Sequence, residues 1–281
     1  MPQFKQLLWV LFFLWMGATG CSSFFYYPVR EPLTDLKKMH VRAPLEITFT
    51  SLDDVLLHGW YFKNNIRASP KGVLVYFHGN AENITTHFAN LHWILDYGYD
   101  YFIFDYQGYG KSGGQPSPKA TVEDGKAAIL WVAHHHPSVP LIVFGQSLGG
   151  AIALRVVADL KEEIPISHVV VDSTFLSYRK EAREVLARHW LTWLLQPLAY
   201  LTMSDRYAPM GAVADISPIP LLIFHGDHDR VVPFALGEEI YKKAKAPKEF
   251  IRVYGGQHGD LFWREKGRYR KELLRRLNPS L

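Results

Sequence analysis

Short runs of apolar, β-branched and aromatic residues alternate along this chain with longer stretches in which apolar positions recur every three or four residues. Runs of the first kind bury both faces of an extended strand, and stretches of the second kind bury one stripe of a helix. Residues 73–77, 101–104, 140–144, 168–171, 221–224 and 250–254 read as strands. Residues 84–97, 120–133, the stretch from Ala151 to Val157 and residues 235–244 have helical spacing. Phe88, Leu91, Ile94 and Leu95 form the buried stripe of the first helix, and Ile129, Leu130 and Val132 that of the second. Strand and helix in alternation predict a mostly parallel, doubly wound sheet with helices on both faces. Residues 45–50 and 55–62, separated by a turn at Ser51-Leu52-Asp53-Asp54, predict an antiparallel pair at its edge.

Two stretches depart from the alternation. Residues 176–210 carry an apolar stripe of Val185, Leu186, Trp190, Trp193 and Leu194, interrupted at Pro197, and read as an inserted helical pair. Over the strand ends such a cap would offer an apolar wall and exclude water; an ordinary crossover helix with its stripe on the sheet is the alternative. Residues 261–277 predict a final helix in which Phe262, Trp263, Leu273 and Leu274 are mixed with seven Lys and Arg residues. Those charges read as a wet terminal face or a contact for anionic headgroups.

The chain has 281 residues, of which 48% are hydrophobic, enough for one large α/β domain over residues 45–281. A formal charge of +4, with the signs interspersed and no basic stripe, argues against a nucleic-acid partner. One cysteine precludes an intramolecular disulfide. Cys21 instead ends a leader: Lys5, the apolar run Leu7 to Met16, and the small residues Gly17-Ala18-Thr19-Gly20. The run is short for a span, which takes about 20 apolar residues. Residues 1–20 resemble a bacterial lipoprotein signal, although Ala18 stands where Leu is usual. That resemblance implies lipidation of Cys21 and a membrane-anchored protein of the cell envelope, with Ser22 favouring the outer membrane. An uncleaved anchor is the alternative, and residues 21–44 read as a Pro-interrupted linker.

The chemistry centres on Gly145-Gln146-Ser147-Leu148-Gly149, a G-x-S-x-G set between a strand and a helix. This is the pattern of a nucleophile elbow, whose small flanking residues allow tight strand-to-helix packing and expose the serine. The Leu148 N–H, at the helix start, would face a developing oxyanion. His78-Gly79-Asn80 follows another strand, so the Asn80 N–H is the candidate second donor; alternatively the loop only turns the chain and caps a helix through Asn83. Serine needs a histidine base and a carboxylate to orient it, in the chain order Ser, acid, His. Of thirteen histidines only His258 lies beyond both the elbow and the 225–233 loop. Asp229 is the favoured acid, with Asp227 as a loop brace and Asp172 as a backbone partner beside the elbow; both remain alternatives for the acid. His134-His135-His136 reads as a solvated helix end, and the Gly-rich loop at 108–114 lacks P-loop spacing, so neither metal nor nucleotide is expected.

Taken together, His78-Gly79, Asp105-Tyr106, Gly108-Tyr109-Gly110, the 145–150 elbow, His225-Gly226-Asp227-His228-Asp229-Arg230-Val231-Val232-Pro233 and His258 resemble the α/β-hydrolase superfamily over residues 45–277. The sequence is similar to bacterial membrane-associated serine hydrolases and to the α/β-hydrolase-domain proteins that include depalmitoylases. The resemblance implies a Ser147, Asp229, His258 triad with backbone donors at Leu148 and Asn80. It also implies cofactor-free cleavage of small-molecule acyl esters or thioesters. Peptide hydrolysis and a non-catalytic envelope lipoprotein that binds a partner are the competing readings, because one fold hosts many chemistries.

Overall fold

A computed structural model describes residues 25–39, 41–188 and 190–278. The leader and Cys21 lie outside the described residues. The strands of the main sheet are β1 (Leu45–Thr50), β2 (Leu56–Phe62), β3 (Val73–Phe77), β4 (Asp100–Asp105), β5 (Leu141–Gln146), β6 (Ile166–Asp172), β7 (Leu221–Gly226) and β8 (Lys248–Val253). The helices are α1 (Ile84–His87), α2 (Pro118–His135), α3 (Leu148–Leu160), α4 (Tyr178–Ala187), α5 (Gln196–Thr202), α6 (Phe234–Lys243) and α7 (Arg268–Leu277). Every strand expected from the apolar runs is present. The sheet order is β8-β7-β6-β5-β3-β4-β2-β1, parallel except where β2 pairs with β4 and with β1. The antiparallel pair therefore forms the edge, as its alternating pattern predicts.

This order locates the site. β3 lies between β4 and β5, so the connections leaving β3 and β4 run to opposite sides and open a crevice at the carboxyl ends of β3 and β5. Phe77 at the end of β3 is registered against Gly145 of β5, which sets the His78 loop beside the Ser147 turn. The strand interiors, including Val73, Val75, Phe102, Phe104, Val143 and Val171, are fully buried on both faces. α2 and α3 cover one face, and the segment 84–97 with α7 covers the other. Each large apolar side chain so buried stabilises the fold by roughly 1.5–3 kcal/mol.

Four local expectations are corrected. Residues 84–97 are not one helix: α1 is a single turn, followed by 3₁₀ segments at Phe88–Asn90 and His92–Tyr97. Phe88, Leu91, Ile94 and Leu95 are nonetheless buried as their spacing requires, because apolar periodicity reports burial whichever tight helix presents it. The final helix begins at Arg268 rather than 261, since Glu265, Lys266 and Gly267 all adopt positive φ. Residues 25–31 are not a free linker. Tyr27–Pro28 pairs in parallel with Ala81–Glu82, Phe25 and Tyr26 are buried, and the Asn83 side chain donates to the carbonyls of Val29 and Glu31.

The fourth correction concerns the insertion at 176–210, which forms α4, a short 3₁₀ segment at Trp193–Leu195 and α5. Its inner side is taken by Tyr178 and Glu181, and Val185, Trp190, Trp193 and Leu194 are exposed. The apolar stripe faces solvent, not the sheet and not the strand ends.

Candidate active site

Ser147 sits between β5 and α3 at φ 54° and ψ −125°, a conformation that costs a non-glycine residue about 1–3 kcal/mol. The surroundings hold it there. The Ser147 N–H donates to the Asp172 carbonyl at 2.9 Å, and the Thr174 hydroxyl donates to the Ser147 carbonyl at 2.6 Å. A Cβ at Gly145 would lie 2.6 Å from the Gly149 carbonyl oxygen, and one at Gly149 would lie 2.1 Å from the Phe77 carbonyl oxygen. The two glycines are thus required by close approach of backbone, as the G-x-S-x-G reading proposes.

His258, on the loop after β8, reaches both partners: its Nε2 is 3.0 Å from Ser147 Oγ and its Nδ1 is 2.8 Å from Asp229 Oδ2. Asp229 is ionised, so Nδ1–H donates to it and Nε2 is left to accept the serine proton. Burial alone would raise the Asp229 pKa. The hydrogen bond and charge of His258 and the N–H groups of Val231 and Val232, at 2.8 and 2.9 Å from Oδ1, hold it below the usual carboxylate range. For His258, burial acts downward, but Asp229 first, then Asp172 and Glu181, carry its pKa above the ordinary histidine value.

The other acid candidates occupy different places. Asp227 accepts from the Gly255 N–H at 2.7 Å and from Arg252 Nε at 2.8 Å, bracing its loop against β8. Asp172 contributes its carbonyl to the elbow, but its carboxylate accepts from Gln146 Nε2 at 3.2 Å and from the Ser173 hydroxyl at 3.0 Å. Burial pushes the Asp172 pKa up to about 6.

Leu148 opens α3, so its N–H is among those at a helix start with no carbonyl inside the helix to meet. His78 Nδ1 donates to the Gly79 carbonyl at 2.8 Å, which fixes the plane of the Gly79–Asn80 peptide and with it the Asn80 N–H. A Cβ on Gly79 would stand 3.8 Å from the Ser147 Cβ, so this loop lies against the serine. The alternative role is also present: Asn83 Oδ1 accepts from the Thr85 N–H and caps α1. One loop does both.

Sequence reasoning missed two groups. Tyr76 OH donates to Gln146 Oε1 at 2.8 Å, and Asn90 Nδ2 reaches both at 3.2 and 3.1 Å, extending the Asp172–Gln146 contact into a buried polar network behind the serine. Glu181 of α4 is buried with Oε2 unpartnered, and its charge acts on His258. Burial pushes its pKa up to about 7. Neither has a spacing signature, because the network joins separate elements and the burial of Glu181 depends on what packs over α4. Among the described residues no cluster of three or more His, Cys, Asp or Glu side chains is arranged to hold a metal, and no helix is long and apolar enough to cross a membrane. His135 donates to the Trp131 carbonyl and His136 stacks on Tyr61.

Comparison with known proteins bears on this geometry. A family profile described as "Serine aminopeptidase, S33" matches residues 68–210. The uncharacterized protein YfhR of Escherichia coli K12 is 32% identical over 292 aligned positions, covering 99% of this chain and 96% of that protein. Lysophosphatidylserine lipase ABHD12 of Xenopus tropicalis is 33% identical over 232 positions; the alignment covers 78% of this chain but 58% of ABHD12, so this chain spans little more than half of that relative. The solved esterase Pf2001 of Pyrococcus furiosus superposes with a TM-score of 0.71 at 21% identity, covering 91% of this chain and 97% of that one, a likeness of fold.

Proposed function

We propose a function from the premise that the chain belongs to the α/β-hydrolase family described as Serine aminopeptidase, S33: it is a serine hydrolase that cleaves acyl esters or thioesters through a covalent acyl-enzyme. The observation that carries this reading is the continuous relay from Ser147 Oγ to His258 Nε2 at 3.0 Å and from His258 Nδ1 to Asp229 at 2.8 Å.

In this mechanism His258 accepts the Ser147 proton as Oγ attacks the acyl carbon. The carbonyl oxygen becomes an oxyanion held by the Leu148 and Asn80 N–H groups, each worth about 2.7–4 kcal/mol to the transition state. The imidazolium, stabilised by ionised Asp229, returns the proton to the departing alcohol or thiol. Water then enters, gives a proton to His258 and attacks the acyl-serine; the imidazolium returns that proton to Ser147 Oγ as the acyl bond breaks, which releases the acid and restores the serine. No step calls on a metal or organic cofactor.

Ester chemistry draws further support from ABHD12, whose name makes it a lysophospholipid lipase. A peptide-cleaving reading has one observation in its favour beyond the family's name: the buried Glu181 carboxylate, whose charge is felt at His258, is of the type that would meet a substrate ammonium. The resemblance of residues 1–20 to a lipoprotein signal supports anchorage to the bacterial envelope through Cys21.

Labelling with a fluorophosphonate tests the mechanism. We expect native protein to be labelled and Ser147→Ala not, and p-nitrophenyl esters and acyl thioesters to turn over faster than aminoacyl anilides. Equal labelling of the Ser147→Ala protein would overturn the nucleophile, and a preference for aminoacyl anilides would move the enzyme to peptide chemistry.

A further inference from the structure

We infer that the outward face of the 176–210 insertion is a bilayer-docking surface, separate from any anchor at Cys21. Trp190 is 84% exposed, Leu194 is 76% and Leu201 is 79%, and Leu191, Trp193 and Leu198 are exposed beside them. Scattered apolar residues on a surface are ordinary, but this many in a dozen positions, aromatic and aliphatic together, mark an interaction site.

Three features identify the occupant as lipid. The residues are of the interfacial type, Trp and Leu on short helical segments with Tyr200 at the margin. Exposed cations border them: Arg183 reaches the Tyr200 hydroxyl at 3.4 Å, and Arg206 follows α5. Such a border suits anionic headgroups. The third is the path of the chain. Phe25, the first described residue, packs on Phe175 and Tyr178 at the root of α4, with ring centroids 6.1 and 5.3 Å apart, and it lines a cleft with Thr202 and Met203 at the end of α5. The apolar run Leu7 to Met16 precedes this point by fewer than twenty residues. The described chain therefore begins at the base of the insertion.

The same insertion touches the triad loop, since Arg188 donates to the Val231 carbonyl, two residues from Asp229. Docking through this face would therefore bring the triad loop close to the bilayer.

The test uses the full chain with Cys21→Ser and a nitroxide attached at Leu194→Cys, on vesicles of phosphatidylcholine and phosphatidylglycerol. A second label at Leu201→Cys checks the first, and a control label at Glu163→Cys, exposed past the end of α3, reads a surface outside the insertion. We expect access of a water-soluble nickel chelate to fall at least fivefold at 194 and 201 relative to 163, while access of dissolved oxygen rises. Nickel access equal to that at 163 would overturn the inference. Loss of both nickel and oxygen access would also overturn it, because that result means the face is covered by protein, from this chain or a second copy. The readout involves no turnover, so its outcome is independent of the proposed reaction.

Discussion

Replacing Asp229 by Asn perturbs the relay at the position where charge and geometry can be separated. Asn keeps the volume and an oxygen able to accept from the Val231 and Val232 N–H groups, so the loop should hold. Its second atom, however, becomes an NH₂ facing His258 Nδ1 where a carboxylate oxygen stood at 2.8 Å. Two donors cannot meet. His258 must place its proton on Nε2, the nitrogen that has to receive the serine proton, and the imidazolium loses its counter-charge. A change of tautomer in such a triad lowers kcat by roughly 10⁴-fold. Here the buried Asp172 also raises the His258 pKa and offsets part of the lost charge, so we expect a fall of about 10³- to 10⁴-fold, or about 4–5.5 kcal/mol. The pH profile carries a second signature. Native activity should fall on the acid side as His258 protonates, with a limb above the ordinary histidine value, and removing the Asp229 charge should move that limb to lower pH. Initial rates on a soluble ester from pH 5 to 9, with thermal melting to confirm folding, make the measurement. A folded variant within tenfold of native, or an equal loss in Asp172→Asn, would refute the assignment of Asp229.

Three further outcomes follow from the structure. Gly149→Ala sets a Cβ against the Phe77 and His78 carbonyl oxygens, at 2.1 and 2.3 Å, and should cost at least 1–3 kcal/mol in urea denaturation, since rigid backbone cannot yield. Glu181 holds its proton in the folded state up to a pH of about 7, against an ordinary value of 4.5, so between these values the folded form binds more protons than the unfolded one and stability declines as pH rises. Glu181→Gln should remove that part of the decline, read as urea midpoints from pH 4.5 to 7.5; parallel curves for the two proteins would contradict it. Cys21→Ser should abolish metabolic labelling with palmitate in a bacterial host, whereas undiminished labelling would exclude that residue as the lipid attachment site.

Much of this protein was decided by residue order alone. Runs such as residues 73–77 and 140–144 are apolar enough to be strands buried on both faces, and alternation with helical spacing implies a parallel sheet before any contact is known. The glycines around Ser147 announce a tight turn, and the position of His258 beyond every other acid and base candidate singles it out. These signals are local, or depend only on chain order. Tertiary structure decided what depends on distance between separate elements. Asp227 and Asp229 stand two residues apart on one loop; the sequence favoured Asp229 as the acid, and the contacts of Asp227 with Arg252 and of Asp229 with His258 depend on the tertiary structure. The network of Tyr76, Asn90, Gln146 and Asp172 joins four segments and has no pattern to read. The insertion shows the limit most plainly: its apolar stripe has the same periodicity whether it faces a core or a membrane, because periodicity records which residues share a side and not what lies against it.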